Sequence, residues 1–230
     1  MKPNKSRLLF YALNILILVS LAVSPIHAAP LIAVTGGSSS STVSTAPVPA
    51  GLKSFIDTVK NGSGGTVTGL YVESEFSFPV IQQPTSQPAY VSPYANQVTQ
   101  FAMASSYGSL GFLAHNNLAG SSFSSIKVGD VITVVYGDGH YSQYQVSSLR
   151  SLRALQPSSP YSSFIDLATN QTLSATDVFY QTYGVKNQLV LQTCISSQGL
   201  DSWGRLFVTA VPYTPVPYKS SIPVFLSASV

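Results

Sequence analysis

Beyond residue 50 the apolar residues of this chain fall in short runs, separated by Gly, Pro, Asn and Ser at intervals typical of β-sandwiches and β-barrels. The clearest pair is Val131–Tyr136 and residues 141–146, which flank Gly137-Asp138-Gly139-His140. Glycines there can take the positive backbone angles of a tight turn, so two antiparallel strands are predicted. Further strands are predicted over residues 66–75, 109–115, 188–194 and 205–211, each enriched in β-branched or aromatic side chains. Short helices fit only around residues 52–59, 95–105 and 175–183; in the last, Ser174 and Asp177 stand at capping-box spacing, with Asp in the place usually held by Glu or Gln. The expected fold is all-β, a barrel with small helices in its connections.

Charge narrows the partners. Only 8% of the 230 residues are charged, so the surface must be covered by neutral polar groups, which suits an extracellular β-rich domain. The formal charge of +3 is carried by Lys2, Lys5 and Arg7, and basic and acidic residues balance in the rest of the chain. A neutral body has no electrostatic footprint for phosphate backbones or an anionic membrane surface, and nucleic acid is not an expected partner.

Those three basic residues precede an apolar run over residues 8–23 and then Ser24-Pro25-Ile26-His27-Ala28-Ala29, the order of an export signal. The run is somewhat short of the ~20 residues that span a bilayer, although the adjoining residues can lengthen it. Ala28 and Ala29 permit cleavage, whereas Ile26 is not the small side chain best suited to its place. A cleaved signal peptide and a retained membrane anchor both remain open. In either case Lys2, Lys5 and Arg7 stay cytoplasmic and everything after about Ala29 lies outside. Residues 30–50, rich in Ser, Thr, Gly and Pro, have too few large apolar groups to offset the entropy of ordering and read as a flexible spacer. The expected organisation is therefore 1–29 signal or anchor, 30–50 spacer, and 51–230 globular domain.

Cys194 is the only cysteine, so an exported chain gives it no internal disulfide partner. It is a buried hydrophobe, an intermolecular link or a working thiol. It ends a predicted strand, where a reactive group can face solvent while the sheet holds the backbone. Alternation puts Val190, Gln192 and Cys194 on one face and Leu189, Leu191 and Thr193 on the other. A hairpin through residues 195–204, with Ser196-Ser197-Gln198-Gly199 in its loop, can set the Cys194 thiol beside the Arg205 guanidinium.

Four segments then share an order with a known family. Leu191-Gln192-Thr193-Cys194 resembles the Thr-Leu-X-Thr-Cys strand end of the sortases, with Val190 where Thr is common, and Arg205-Leu206-Phe207-Val208 resembles the Arg-led strand that follows it. Upstream, Gly111-Phe112-Leu113-Ala114-His115-Asn116 is similar to the strand ending in that family's catalytic histidine. Lys127-Val128-Gly129-Asp130-Val131-Ile132 is similar to its Gly-Asp turn. The resemblance covers residues 66–213.

That resemblance implies a closed β-barrel of about eight strands and a cysteine transpeptidase, on the outer face of a bacterial cytoplasmic membrane or extracellular. Cys194 would be the nucleophile, His115 the acid/base and Arg205 the group that steadies the oxyanion or positions substrate. Thr193, Ala114 and Asn116 would line the substrate. The enzyme would cleave a C-terminal sorting signal of a secreted protein and pass the acyl group to an amine of the cell wall or a pilin. Two alternatives share the site: a hydrolase that passes the same acyl group to water, and a noncatalytic module that only binds peptides. No cofactor is implied, and one Cys, two body histidines and scattered carboxylates show no metal-binding spacing. Residues 154–188, with Tyr161, Phe164, Phe179, Tyr180 and Tyr183, are expected to form a long connection over the site. His140, in its tight turn, is expected to be a solvent-exposed hairpin residue.

Overall fold

The computed structural model describes residues 48–214, so the predicted export signal and most of the spacer lie outside the described residues. Ten strands form one sheet, in the order β10-β9-β4-β3-β2-β1-β5-β6-β7-β8, and β10 also pairs with β6. That extra pairing closes eight of the strands into a barrel and leaves β7 and β8 as a flap hydrogen-bonded to β6. The strands are β1 Val67–Val72, β2 Phe76–Gln82, β3 Val98–Gln100, β4 Leu110–Leu113, β5 Val131–Tyr136, β6 Tyr141–Ala154, β7 Phe164–Asp166, β8 Thr172–Leu173, β9 Leu189–Ser197 and β10 Leu200–Pro212. The β2–β3 and β4–β9 pairs are parallel and the rest antiparallel, so the predicted all-β barrel is a mixed one.

The elements follow the residue pattern, with local corrections. β5 has the bounds expected of it, and His140 in the following turn is exposed and bonded to Asp138. The strand predicted over 66–75 stops at Val72, because Ser74 takes a φ of 63° and turns the chain into β2. Helix α1 (Ala50–Val59) buries Leu52 and Phe55 against Val135 on the outside of the barrel. Part of the helix predicted at 95–105 is β3, and only the five-residue α2 (Ala102–Ser106) remains helical. Helix α3 (Ala175–Tyr183) carries the predicted capping box, Asp177 N–H donating to Ser174 Oγ at 3.1 Å and Ser174 N–H to the Asp177 carboxylate at 3.1 Å.

Two apolar clusters separate the faces of the sheet. The barrel interior holds Leu70, Val98, Phe112, Ile132, Val134, Leu189, Leu191 and Val208, all fully enclosed. A 3-10 turn, Ala119–Ser124, feeds Ala119 and Phe123 into the same cluster. Each such side chain contributes about 1.5–3 kcal/mol on leaving water. On the outer face, Val190 of β9, Phe207 of β10 and Leu152 of β6 pack against Phe164 of β7, Leu173 of β8, and Val178 and Tyr183 of α3. The connection from β6 to β9 thus forms a second layer on the barrel, and that layer borders the candidate site.

Candidate active site

Cys194 lies within β9 rather than at its end, because the strand continues to Ser197 and the hairpin turn is confined to Gln198 and Gly199, with φ of 52° and 74°. Its direct cross-strand partner is Arg205 of β10. Paired residues of an antiparallel ladder project to the same side. Here that side is the outer face, shared with Val190 and Phe207, as the alternation predicted. The row continues: Arg205 pairs with Leu152 of β6, and Leu152 with Asp166 of β7.

His115 enters from the other flank. β4 runs parallel to β9, with Leu113 opposite Gln192, and Ala114 N–H donates to the Gln192 carbonyl at 3.2 Å. Two residues beyond that pair are His115 on one segment and Cys194 on the other, at the same end of the barrel. His115 is exposed, just past the last residue of β4, while Cys194 and Arg205 are half-buried. Neither the thiol nor the imidazole has a side-chain partner among the described residues. The topology therefore gathers His115, Cys194 and Arg205 along one level of β4, β9 and β10, although they are far apart in sequence.

The Arg205 guanidinium is steadied by its own hairpin. Nη1 donates to the carbonyls of Ser202 at 3.0 Å and Gly204 at 2.8 Å, and Cζ lies 6.0 Å from the Phe164 ring centroid. Phe164 belongs to the flap, so the second layer supports the cation directly. The flap is held in turn by Asp166, a buried carboxylate that accepts from Arg150 Nε at 2.7 Å and from the amides of Ala168 and Thr169. The Arg150 bond holds the Asp166 carboxyl below its usual range. On the other side of Cys194, the Tyr183 hydroxyl of α3 donates to Gln192 Oε1 at 2.7 Å, and burial pushes that phenol's pKa up.

The remaining predicted site residues are placed differently from one another. Ala114 and Thr193 are buried on the inward side, at 6% and 3% exposure. Asn116 is engaged: its Nδ2 donates to Ser196 Oγ at 2.6 Å and to the Asp201 carbonyl at 3.0 Å, tying the turn after His115 to the β9–β10 hairpin. The next residues, Asn117 and Leu118, join Glu75, Phe76, Phe78 and Asn96 in lining an open cleft of about 470 Å³. No cluster of three metal-ligating side chains occurs among the described residues, and no helix among them is long and apolar enough to cross a membrane. One contributor escaped the sequence reading, the Arg150–Asp166 pair that holds the flap, because its partners lie 16 residues apart on different strands.

No family model matches the chain, and no curated protein matches it. Among solved structures it is similar to sortase C1 of Streptococcus agalactiae, at 14% identity over 65% of this chain and 68% of that one, with a TM-score of 0.40. It is also similar to sortase A from Corynebacterium diphtheriae, at 13% identity over 66% of this chain and 62% of that one, with a TM-score of 0.44. For sortase C1 from Streptococcus suis the identity is 13%, the coverage 74% of this chain and 82% of that one, and the TM-score 0.42.

Proposed function

We propose that this protein is an exported, sortase-like cysteine transpeptidase that cleaves a sorting signal in a secreted protein and transfers the acyl group to an amine of the cell wall or a pilin. The observation that carries the reading is the direct pairing of Cys194 with Arg205 on the outer face, with His115 at the same level of the parallel neighbour. The order of the motifs around these three residues supports it independently.

In this reading the thiolate form of Cys194 attacks the scissile carbonyl, because the thiolate is the nucleophile in such chemistry and cationic neighbours favour it. The carbonyl π electrons move to oxygen, where Arg205 N–H groups stabilise the negative charge. Removing one such donor typically costs about 2.7–4 kcal/mol of transition-state stabilisation. As the tetrahedral adduct collapses, the C–N bond breaks and the leaving nitrogen takes a proton from the His115 imidazolium, leaving a thioester on Cys194. An acceptor amine then gives a proton to the neutral imidazole as its nitrogen forms the new amide bond and the thiolate departs. No external oxidant or reductant is needed, and the imidazole ends as it began.

Mass spectrometry of the full chain with a library of sorting-signal peptides, beside Cys194→Ala, tests the reading. A peptide acyl adduct on the unsubstituted protein that passes to an added amine is expected. Passage only to water makes the protein a hydrolase. Failure of every peptide to form an adduct, while Cys194 alkylates readily, would favour a peptide-binding module, and a thiol that never alkylates in the folded protein removes the catalytic assignment altogether.

A further inference from the structure

The turn that follows His115 meets the strand that carries Cys194 at Gly120. This residue is buried in the 3-10 turn Ala119–Ser124, and its N–H donates to the His115 carbonyl at 3.0 Å. A Cβ placed on Gly120 would stand 2.7 Å from the His115 carbonyl oxygen, 2.8 Å from the Ala114 carbonyl oxygen, and closer still to Thr193 Oγ1. Backbone oxygens cannot rotate aside as a flexible side chain can, so any side chain here must separate the turn from the 114–115 backbone. The requirement is for space, since Gly120 is not among the residues with positive φ.

Thr193 marks the other side of this contact. Its hydroxyl is buried, faces Gly120, and has no hydrogen-bond partner among the described residues. A buried hydroxyl without a partner normally carries a cost, so close packing of turn on strand prevails over hydrogen bonding at this point. The contact joins two backbones that each lead directly into a candidate catalytic residue, Ala114–His115 on one side and Thr193–Cys194 on the other.

We propose that Gly120 is a positioning residue: its lack of a side chain lets the turn seat on Thr193 and thereby holds His115 level with Cys194. The inference rests on the transpeptidase reading for its catalytic meaning, but the geometry it asserts can be measured without turnover. Gly120 itself touches no substrate, and its effect runs through His115.

The test compares the unsubstituted full chain with Gly120→Ala, and with Gly65→Ala as control, because a Cβ on Gly65 meets nothing within 4 Å. Gly120→Ala is expected to shift the His115 ring resonances in NMR, slow Cys194 alkylation by iodoacetamide, and lower kcat for peptide transfer at least tenfold with KM changed less than twofold; Gly65→Ala should do none of these. In a His115→Ala background, adding Gly120→Ala should slow alkylation less than twofold. If the single variant does not fold cooperatively, Gly120→Ala/Thr193→Ala removes the overlap with Oγ1 and retains both carbonyl overlaps, and displacement of His115 is still expected. Unmoved His115 resonances in the folded variant overturn the proposal, as does a full loss of alkylation rate that persists without His115. Absence of peptide transfer by the unsubstituted protein would count against the transpeptidase reading, while the resonance and alkylation arms still decide the role of Gly120.

Discussion

The two faces of β9 and β10 serve different ends. Inward, Leu189 and Leu191 meet Val208 and Ala210 in a continuous apolar core that Leu206 and Ile195 extend past Thr193. Outward, the same strands pass from Val190 through Gln192 to Cys194, and from Phe207 to Arg205, so apolar packing gives way to reactive and charged groups within a few residues. Alternation lets one backbone serve both. The inner face supplies rigidity that a loop could not, and the outer face presents side chains at spacings set by the ladder. Substitutions inside should therefore change stability with little effect on the chemistry of the molecules that remain folded, and substitutions at the outer end should do the reverse.

The sharpest test of this contrast is Arg205→Lys. It keeps the positive charge but loses the planar fork of donors, and a drop of about 10²- to 10³-fold in kcat is expected with the melting temperature almost unchanged. A variant that loses stability instead would show that Arg205 belongs to the packing. Leu191→Ala is the converse: stability should fall by about 2–5 kcal/mol in urea titrations, while transfer per folded molecule stays near that of the parent protein. If its specific activity collapses too, the faces are coupled.

Asp166→Asn probes the flap, and a loss of roughly 2 kcal/mol is expected from the weakened bonds to Arg150 and the two amides. Because the Asp166 carboxyl is held below its usual range, its ionised form stabilises the fold at pH values above the ordinary carboxylate pKa. That contribution is lost as the pH falls through the lowered folded value. The stability gap between parent and Asp166→Asn should therefore be steady from about pH 5 to 8 and close below about pH 4. A gap independent of pH would show that shape, not charge, holds the flap. The smallest effect is expected for Asn116→Ala, about 1 kcal/mol, with loosened hydrogen exchange in the turn after His115.

The sequence reading succeeded where a segment's own pattern governs it and failed where a distant partner does. β5 and α3 could be read from the chain because strand-forming residues beside a glycine turn, and a capping box beside an amphipathic run, act locally. The short strands β3, β7 and β8 went unpredicted because they exist only as partners of longer neighbours. β6 was expected to end at residue 146 but continues to Ala154. An irregularity in its pairing near Thr209 and Ala210 shifts the alternation, so Val146 faces the barrel interior and Leu152 the outer layer. No single period could have joined the two halves.

The sequence by itself determined the short-strand pattern shared by sandwiches and barrels, the uniqueness of Cys194, and the alternation that puts the thiol on the face opposite Leu189 and Leu191. Each follows from composition and the two-residue period of a strand. Tertiary structure decided what stands beside that thiol. Arg205, already expected from the local hairpin, is joined by His115 through the parallel pairing of β4 with β9, and by Phe164 and Asp166 through the flap on β6. Register between distant strands arises from packing a closed barrel around one core, a property of the whole sheet that no local stretch of residues encodes.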